Sequence, residues 1–230
     1  MPLTDPEPQV DGRKARWAGQ HERRRAEFVD AALAAIALHG PEVSTQQIAD
    51  QAGVARTRLY KHFADAGDLQ RAVARRAAEQ VTEALTPVWN PEGTPMQMVT
   101  AAVEGYLGWL RDNAHLYRYL SRHSLSEAAD GADAATDIRT AVGVRLHRIF
   151  ADVVAAVDGD TRPTQPLAFG IVGFVDTASI RWLDHPEGLS FEQLVRQLAR
   201  WIWCMLDDSL RQAGFVLDPD RPLDLGHLST

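Results

Sequence analysis

The heptapeptide Arg56-Thr-Arg-Leu-Tyr-Lys-His62 gathers two guanidinium groups, a hydroxyl, a phenol, an ammonium and an imidazole into seven positions. A guanidinium can fork onto O6 and N7 of guanine, and a threonine can meet the methyl group of thymine. Lysine, tyrosine and histidine side chains hydrogen-bond phosphate oxygens. Wound as a helix, the run turns Leu59 and the following Phe63 inward and leaves Arg56, Thr57, Arg58, Lys61 and His62 outside. That surface has the chemistry of a reader of duplex DNA. Short helices with arginines also occur as plain solvated surface, so the flanking elements have to decide between the two.

Those elements form a tight helical pair. Ser44-Thr-Gln-Gln47 is a capping box, with Val43 and Ile48 placed as its hydrophobic staple, and it starts a short helix over 45–51. Ala52-Gly53-Val54 follows, and Gly53 supplies the positive φ of a sharp turn. The second helix is predicted over 55–62. Ile48, Ala49, Val54 and Leu59 close a small core at the crossing, which makes the pair a helix-turn-helix. A supporting helix over 22–39 sets Phe28, Ala32, Ile36 and their neighbours on one side and stops at Gly40-Pro41.

The same helical period runs through the rest of the chain, with further helices predicted over 67–89, 95–112, 115–124, 133–157, 164–183 and 191–213. Thr94-Pro-Met-Gln97 and Ser190-Phe-Glu-Gln193 are two more capping boxes, the latter with Leu189 and Leu194 as staple. No segment alternates as a strand does, so the fold class is all-α, about nine helices. Residues 1–20, rich in Pro and Gly and without an apolar period, read as a flexible basic arm. Residues 21–68 read as the helix-turn-helix domain and 69–230 as a helical body.

Charge supports this division. The net charge is −7, yet residues 10–76 hold 12 Lys or Arg against 8 Asp or Glu, while residues 77–230 hold 12 against 21. A basic first third on an acidic body suits a DNA-binding head. No apolar run approaches the roughly 20 residues of a membrane span, no signal peptide is legible, and the single cysteine, Cys204, allows no internal disulfide. Cytoplasmic location and no membrane partner are expected. There is no Gly-x-Ser-x-Gly, phosphate-binding loop, dinucleotide fingerprint or zinc-spaced His/Cys pair. No catalytic residue, metal or cofactor is therefore expected, and the chain reads as not an enzyme.

Gln47-Ile-Ala-Asp-Gln-Ala-Gly-Val54, then Leu59-Tyr-Lys-His-Phe63 and Asp68-Leu69, closely resembles the DNA-binding domain of the TetR family over about 50 of the 230 residues. The resemblance implies that Thr45 and Gln46 face phosphate. It places Arg56, Thr57 and Arg58 at the base-reading positions, and Tyr60 and His62 at phosphate contacts with Lys61 between them. Four positions depart from the family's pattern. Ala55 stands where a capping serine is frequent, Thr57 where glycine is usual and Arg58 where threonine is usual, so no relative's operator can be borrowed. Ala66 stands where lysine is common, which removes one phosphate contact or leaves it to backbone N–H groups. For Arg13, Lys14 and Arg16, with Arg23 to Arg25, two readings stand: minor-groove or phosphate contacts, or a solubilising basic tail.

The resemblance further implies that the body dimerises and binds a small-molecule effector. On the last helix Phe191, Leu194, Val195, Leu198, Trp201, Ile202 and Met205 form a wide apolar stripe. The helix before it is apolar nearly all round, with Gly170 and Gly173 suited to close helix approach. Phe191, Leu198, Trp201, Met205, Gly170 and Phe174 are the expected dimer residues, the alternative being that both helices complete a monomer core. Aromatic residues (Trp89, Tyr106, Trp109, Tyr117, Phe150, Phe169, Phe174, Trp182) supply pocket material, most of it core. Asp176, on a helix with almost no other charge, is the first candidate to set ligand specificity. Arg145, His147 and Arg118 follow, beside Trp109 and Tyr117. Cys204 reads as a buried core thiol. The functional expectation is a ligand-responsive transcriptional regulator, a repressor that binds palindromic operator DNA as a homodimer and is released by a small lipophilic or aromatic effector. The competing reading is a helical interaction protein, or an activator, on the same fold.

Overall fold

The computed structural model describes residues 12–85, 93–124, 134–156 and 158–222. Among these, all regular structure is helical. The elements are α1 (Gly12–His39), α2 (Thr45–Gln51), α3 (Arg56–Leu59), α4 (Ala66–Ala84), α5 (Pro95–Asp112), α6 (Ala114–Ser124), α7 (Ala134–Ala155), α8 (Thr164–Asp184) and α9 (Phe191–Gln212). The chain divides into two compact units, Met1–Val73 and Ala74–Thr230.

In the first unit α1 packs on α2 and α2 on α3. Phe28, Ala32, Ala35 and Ile36 of α1, Ile48 and Ala49 of α2, Leu59, Phe63, and Leu69 and Val73 of α4 are buried and form the core. Val54, expected at the crossing, is only half-buried. Gly40 (φ +83°) ends α1, its N–H bonded to the Ile36 carbonyl at 2.8 Å, and Gly53 (φ +65°) makes the turn between α2 and α3. In the second unit α7 lies along α8 and α5 along α9. Leu107, Leu110, Leu120, Ile138 and Leu198 are wholly buried there; each such side chain contributes about 1.5–3 kcal/mol.

All three capping boxes form. Ser44, Thr94 and Ser190 each accept from the N–H of the glutamine three residues on, and each glutamine side chain returns to the cap N–H. Each is worth about 1 kcal/mol. Leu189, the outer half of the third staple, stays 40% exposed.

Three expectations are corrected. First, residues 12–20 are not a flexible arm but the first turns of α1. Arg13-Lys-Ala-Arg-Trp-Ala18 has high helix propensity without an apolar stripe, so periodicity does not reveal it. Residues 1–11 and the side chains of Arg13, Lys14 and Arg16 lie outside the described residues, as does Trp89. Second, the recognition helix is one short turn, Arg56–Leu59, instead of 55–62. Its cap Ala55 offers no side-chain hydrogen bond, and beyond it the backbone tightens into i→i−3 bonds, with Lys61 N–H to Arg58 O at 3.3 Å and His62 N–H to Leu59 O at 2.9 Å. Third, Cys204 is exposed, on the side of α9 opposite the buried Leu194, Val195, Leu198 and Ile202.

Candidate nucleic-acid interface and body cavity

The head presents the expected basic surface. Arg56, Thr57, Arg58 and Lys61 are exposed, and Tyr60 is half-buried. The Tyr60 hydroxyl accepts from Arg56 Nη2 at 3.5 Å, and the Arg56 guanidinium stands 5.5 Å from the Tyr60 ring. Hydrogen bonding from Arg56 pulls the Tyr60 phenol below its ordinary value. On α2, Gln46 is exposed and donates to Asp50 Oδ1 at 2.7 Å, while Thr45 is half-buried beside Tyr60 and hydrogen-bonded to it.

His62 is placed differently from its outward-facing expectation. Its ring lies 4.8 Å from that of His21 and 5.2 Å from that of Phe28, and its Nδ1 is buried without a partner. Burial, then the neighbouring His21, Arg24, Arg58 and Arg25, pushes its pKa down. The ring therefore packs the recognition turn against α1.

Sequence reasoning missed what holds that turn in place. Arg25 donates to both oxygens of Asp68, at 2.9 and 3.0 Å, and to the His62 carbonyl, and its guanidinium lies 4.3 Å over the Phe63 ring. Asp68 also accepts from Ala64 N–H at 3.1 Å, and its own N–H donates to Asp65 Oδ1 at 2.7 Å. The Arg25 fork holds the Asp68 carboxyl at about 2. Arg25, offered as a phosphate contact, is instead committed to this clamp. No local pattern links residues 43 positions apart.

In the body a cavity of about 590 Å³ opens between α5, α7, α8 and α9. Its wall is almost wholly apolar, from Met98, Val103, Leu146, Phe150, Ile171 and Leu206 among others. Of the aromatic pocket material, Tyr106 and Phe150 are on it. The six candidate ligand residues are not. Trp109 is buried, its indole N–H unpartnered, and Arg145 is exposed. Arg118 pairs with Asp184 at 2.7 Å, and His147 Nδ1 lies 3.0 Å from Thr164 Oγ1 behind the wall. Asp176 is 1% exposed and accepts from the Tyr106 hydroxyl at 2.7 Å and the Tyr117 hydroxyl at 3.0 Å, with Arg139 at 3.7 Å. Burial, reinforced by the carboxylate, drives both phenols up. This isolated acid is a satisfied buried carboxylate, and of its group only Tyr106 reaches the cavity.

Residues 28–77 match the bacterial regulatory proteins of the tetR family, and residues 95–205 match the tetracyclin repressor-like C-terminal domain. The chain belongs to the TetR family. An uncharacterized HTH-type transcriptional regulator of Mycobacterium tuberculosis H37Rv, Rv0472c, is 28% identical over 207 residues, covering 89% of this chain and 86% of that protein. A tetR-family regulator from Streptomyces coelicolor superposes with a TM-score of 0.64 at 20% identity, covering 84% of this chain and 86% of that one. The regulator FadR from Bacillus subtilis, solved in complex with stearoyl-CoA, gives 0.55 at 16% identity, covering 77% of this chain and 96% of that one. The head of this TetR-family chain is thus a helix-turn-helix of a transcriptional regulator. No helix among the described residues is long and apolar enough to cross a membrane.

In the TetR body the six expected dimer residues separate into two groups. Gly170 is exposed, with nothing within 4 Å of a Cβ built there. Phe174 packs edge-on against Trp201 at 5.8 Å, and Trp201 remains 47% exposed beside half-buried Met205. Phe191 is half-buried between the Trp182 ring and the Arg111 guanidinium. Leu198 is corrected: it is fully buried within its own chain, because the Leu194–Leu198–Ile202 half of the wide apolar stripe completes the core. That leaves an outer strip of Gly170, Gly173, Phe174, Trp201 and Cys204.

Proposed function

We propose that this chain is a ligand-responsive repressor that grips a palindromic operator as a homodimer and releases it when a lipophilic effector fills the body cavity. The observation that carries the reading is the apolar cavity of about 590 Å³ in the same chain as the exposed Arg56-Thr57-Arg58 surface. Its size falls within the range of about 300–1,000 Å³ for small-molecule sites. The binding of stearoyl-CoA by a FadR of the same fold supports an apolar ligand here. The outer strip around Phe174 and Trp201 supports a two-fold contact, which would present one recognition helix to each half-site.

A switch also needs a path, and α4 supplies a candidate. Its first turn holds Asp68, and Leu85, just past its end, lines the cavity. At Gly105 of α5 a Cβ would stand 3.0 Å from the Ala84 carbonyl, so a shift of α5 is felt at the end of α4. Release by 100-fold requires the effector to prefer the non-binding form by about 2.7 kcal/mol. The test is a mobility-shift titration on the DNA upstream of its own gene, with and without saturating fatty acid or fatty acyl-CoA. A shifted band that the amphiphile dissolves is expected. No shift on that DNA and none in a genome-wide binding selection would overturn the regulator reading, and a shift that no apolar compound alters would overturn the effector reading.

A further inference from the structure

The cavity has two unlike ends. In the middle of the body it is closed by Tyr106 of α5, Val142 of α7, Val175 of α8 and Ile202 of α9. The Tyr106 hydroxyl is already donated to Asp176 at 2.7 Å, so this end offers a ligand no free polar group from that ring. The opposite end is lined by Pro95, Val154, Thr164 and Ala213, eleven or twelve residues away along the same four helices. At 1.5 Å per residue that is a slot about 16–18 Å long. Apart from Tyr106 and the indole of Trp203, the wall residues with polar side chains, Asp160, Thr164, Ser209 and Gln212, gather at this second end. An apolar floor and a polar rim fit one molecule shape: a chain with a single polar head.

The rim is crossed by the segment that leaves α9. It turns at Gly214 (φ +86°), then sets Phe215 and Leu217 into the cavity wall, while Val216 between them is 70% exposed. Ala213 and Gly214 stay bonded to the last turn of α9, at Ser209 O (3.1 Å) and Arg211 O (3.0 Å), and two further backbone bonds hold residues 215–219, from Phe215 N–H to Leu210 O at 2.8 Å and from Met96 N–H to Pro219 O at 3.0 Å. Met96 sits in the first turn of α5, whose N–H groups have no partner within the helix. The segment can therefore detach without breaking a bond internal to any helix, whereas α5 and α9 are locked by whole apolar faces.

We infer that residues 215–219 are a flap that opens to admit a single-chain amphiphile tail first and closes with the polar head left among Asp160, Thr164, Ser209 and Gln212. The inference rests on the reading of the cavity as the effector site, and its test separates the two. Stopped-flow binding of cis-parinaric acid, a linear fluorescent fatty acid, is compared between the full chain and the double variant Phe215→Ala/Leu217→Ala. A flap requires association and dissociation both to accelerate at least tenfold, with a smaller change in Kd. Faster dissociation with unchanged association would make these residues mere wall and overturn the flap. Hydrogen exchange on the unmodified protein needs no ligand and no variant. The Met96 and Phe215 amides should exchange by local opening, at least 100-fold faster than those of Leu107 and Leu198. Exchange of all four only through global unfolding would overturn the flap whatever the acid does. Fast local exchange in a protein that ignores the acid would sustain the flap and discard the lipophilic effector.

Discussion

Replacing Asp68 with asparagine keeps the shape of the side chain and removes the charge that Arg25 grips. The carboxyl is held at about 2 against an ordinary 3.8, and the side chain is 22% exposed, so solvent screens it only in part. A difference of that size corresponds to about 2 kcal/mol. Asparagine keeps an acceptor for the Ala64 N–H, so the variant should lose about 1–2 kcal/mol, or about 2–8 °C in Tm for a chain of this length. The sign with pH follows from the lowered pKa. The unfolded chain takes up the proton first as pH falls, so the contribution is complete above about pH 5, falls by about half by pH 3, and vanishes below 2. The melting gap between wild type and Asp68→Asn, followed by circular dichroism, should therefore narrow from pH 6 to pH 3. Arg25 also holds the His62 carbonyl and the Phe63 ring, so operator affinity at 20 °C should fall as well, because the recognition turn loses its anchor. Equal melting at pH 6, or a gap indifferent to pH, would refute the clamp.

Arg58→Ala should weaken operator binding by about 1–3 kcal/mol and nonspecific DNA much less, whereas Tyr60→Phe should weaken both alike; titrations against operator and scrambled duplex separate these. Trp201→Glu should shift the protein toward monomer in analytical ultracentrifugation and lower operator affinity with it. His62 disfavours its charged form in the fold, so its contribution is present above about pH 6.5 and lost as pH falls below it. A His62→Phe variant should accordingly lose less Tm than wild type between pH 7.5 and 5.5. Asp176→Asn should destabilise the body by about 1–3 kcal/mol, because two tyrosine hydroxyls lose a carboxylate acceptor. Calorimetry would show it, and an unchanged melt with altered effector response would return Asp176 to the binding site.

Local signals in the sequence carried far. Capping boxes at Ser44, Thr94 and Ser190 and glycines at 40 and 53 are read from residues within one turn of each other, so helix positions in the body came within a few residues. The exposed basic surface was legible for the same reason: Arg56, Thr57 and Arg58 sit on a single turn. The start of α1 was not, because its first turns are helical by propensity without an apolar face. The role of Asp176 needed knowledge of what faces it, and its partners Tyr106 and Tyr117 lie 70 and 59 positions away. A lone acid in an apolar helix has the same sequence signature whether it awaits a ligand or already holds two phenols. The stripe on α9 showed that the helix is apolar on a broad front, but not how much of that front its own core covers and how much, like Trp201, stays exposed.

The exposure of Cys204 turns an ordinary residue into an instrument and a hazard. It is the only cysteine in the chain, it is accessible, and it stands one turn from Trp201. A thiol reagent needs no mutagenesis and goes to one place per chain, and slower modification at raised protein concentration would report that the proposed contact covers it. The same accessibility means that preparations left in air can join through a disulfide between copies, and a covalent pair mimics a strong dimer in the ultracentrifuge. Sedimentation of this protein is therefore meaningful only under reductant.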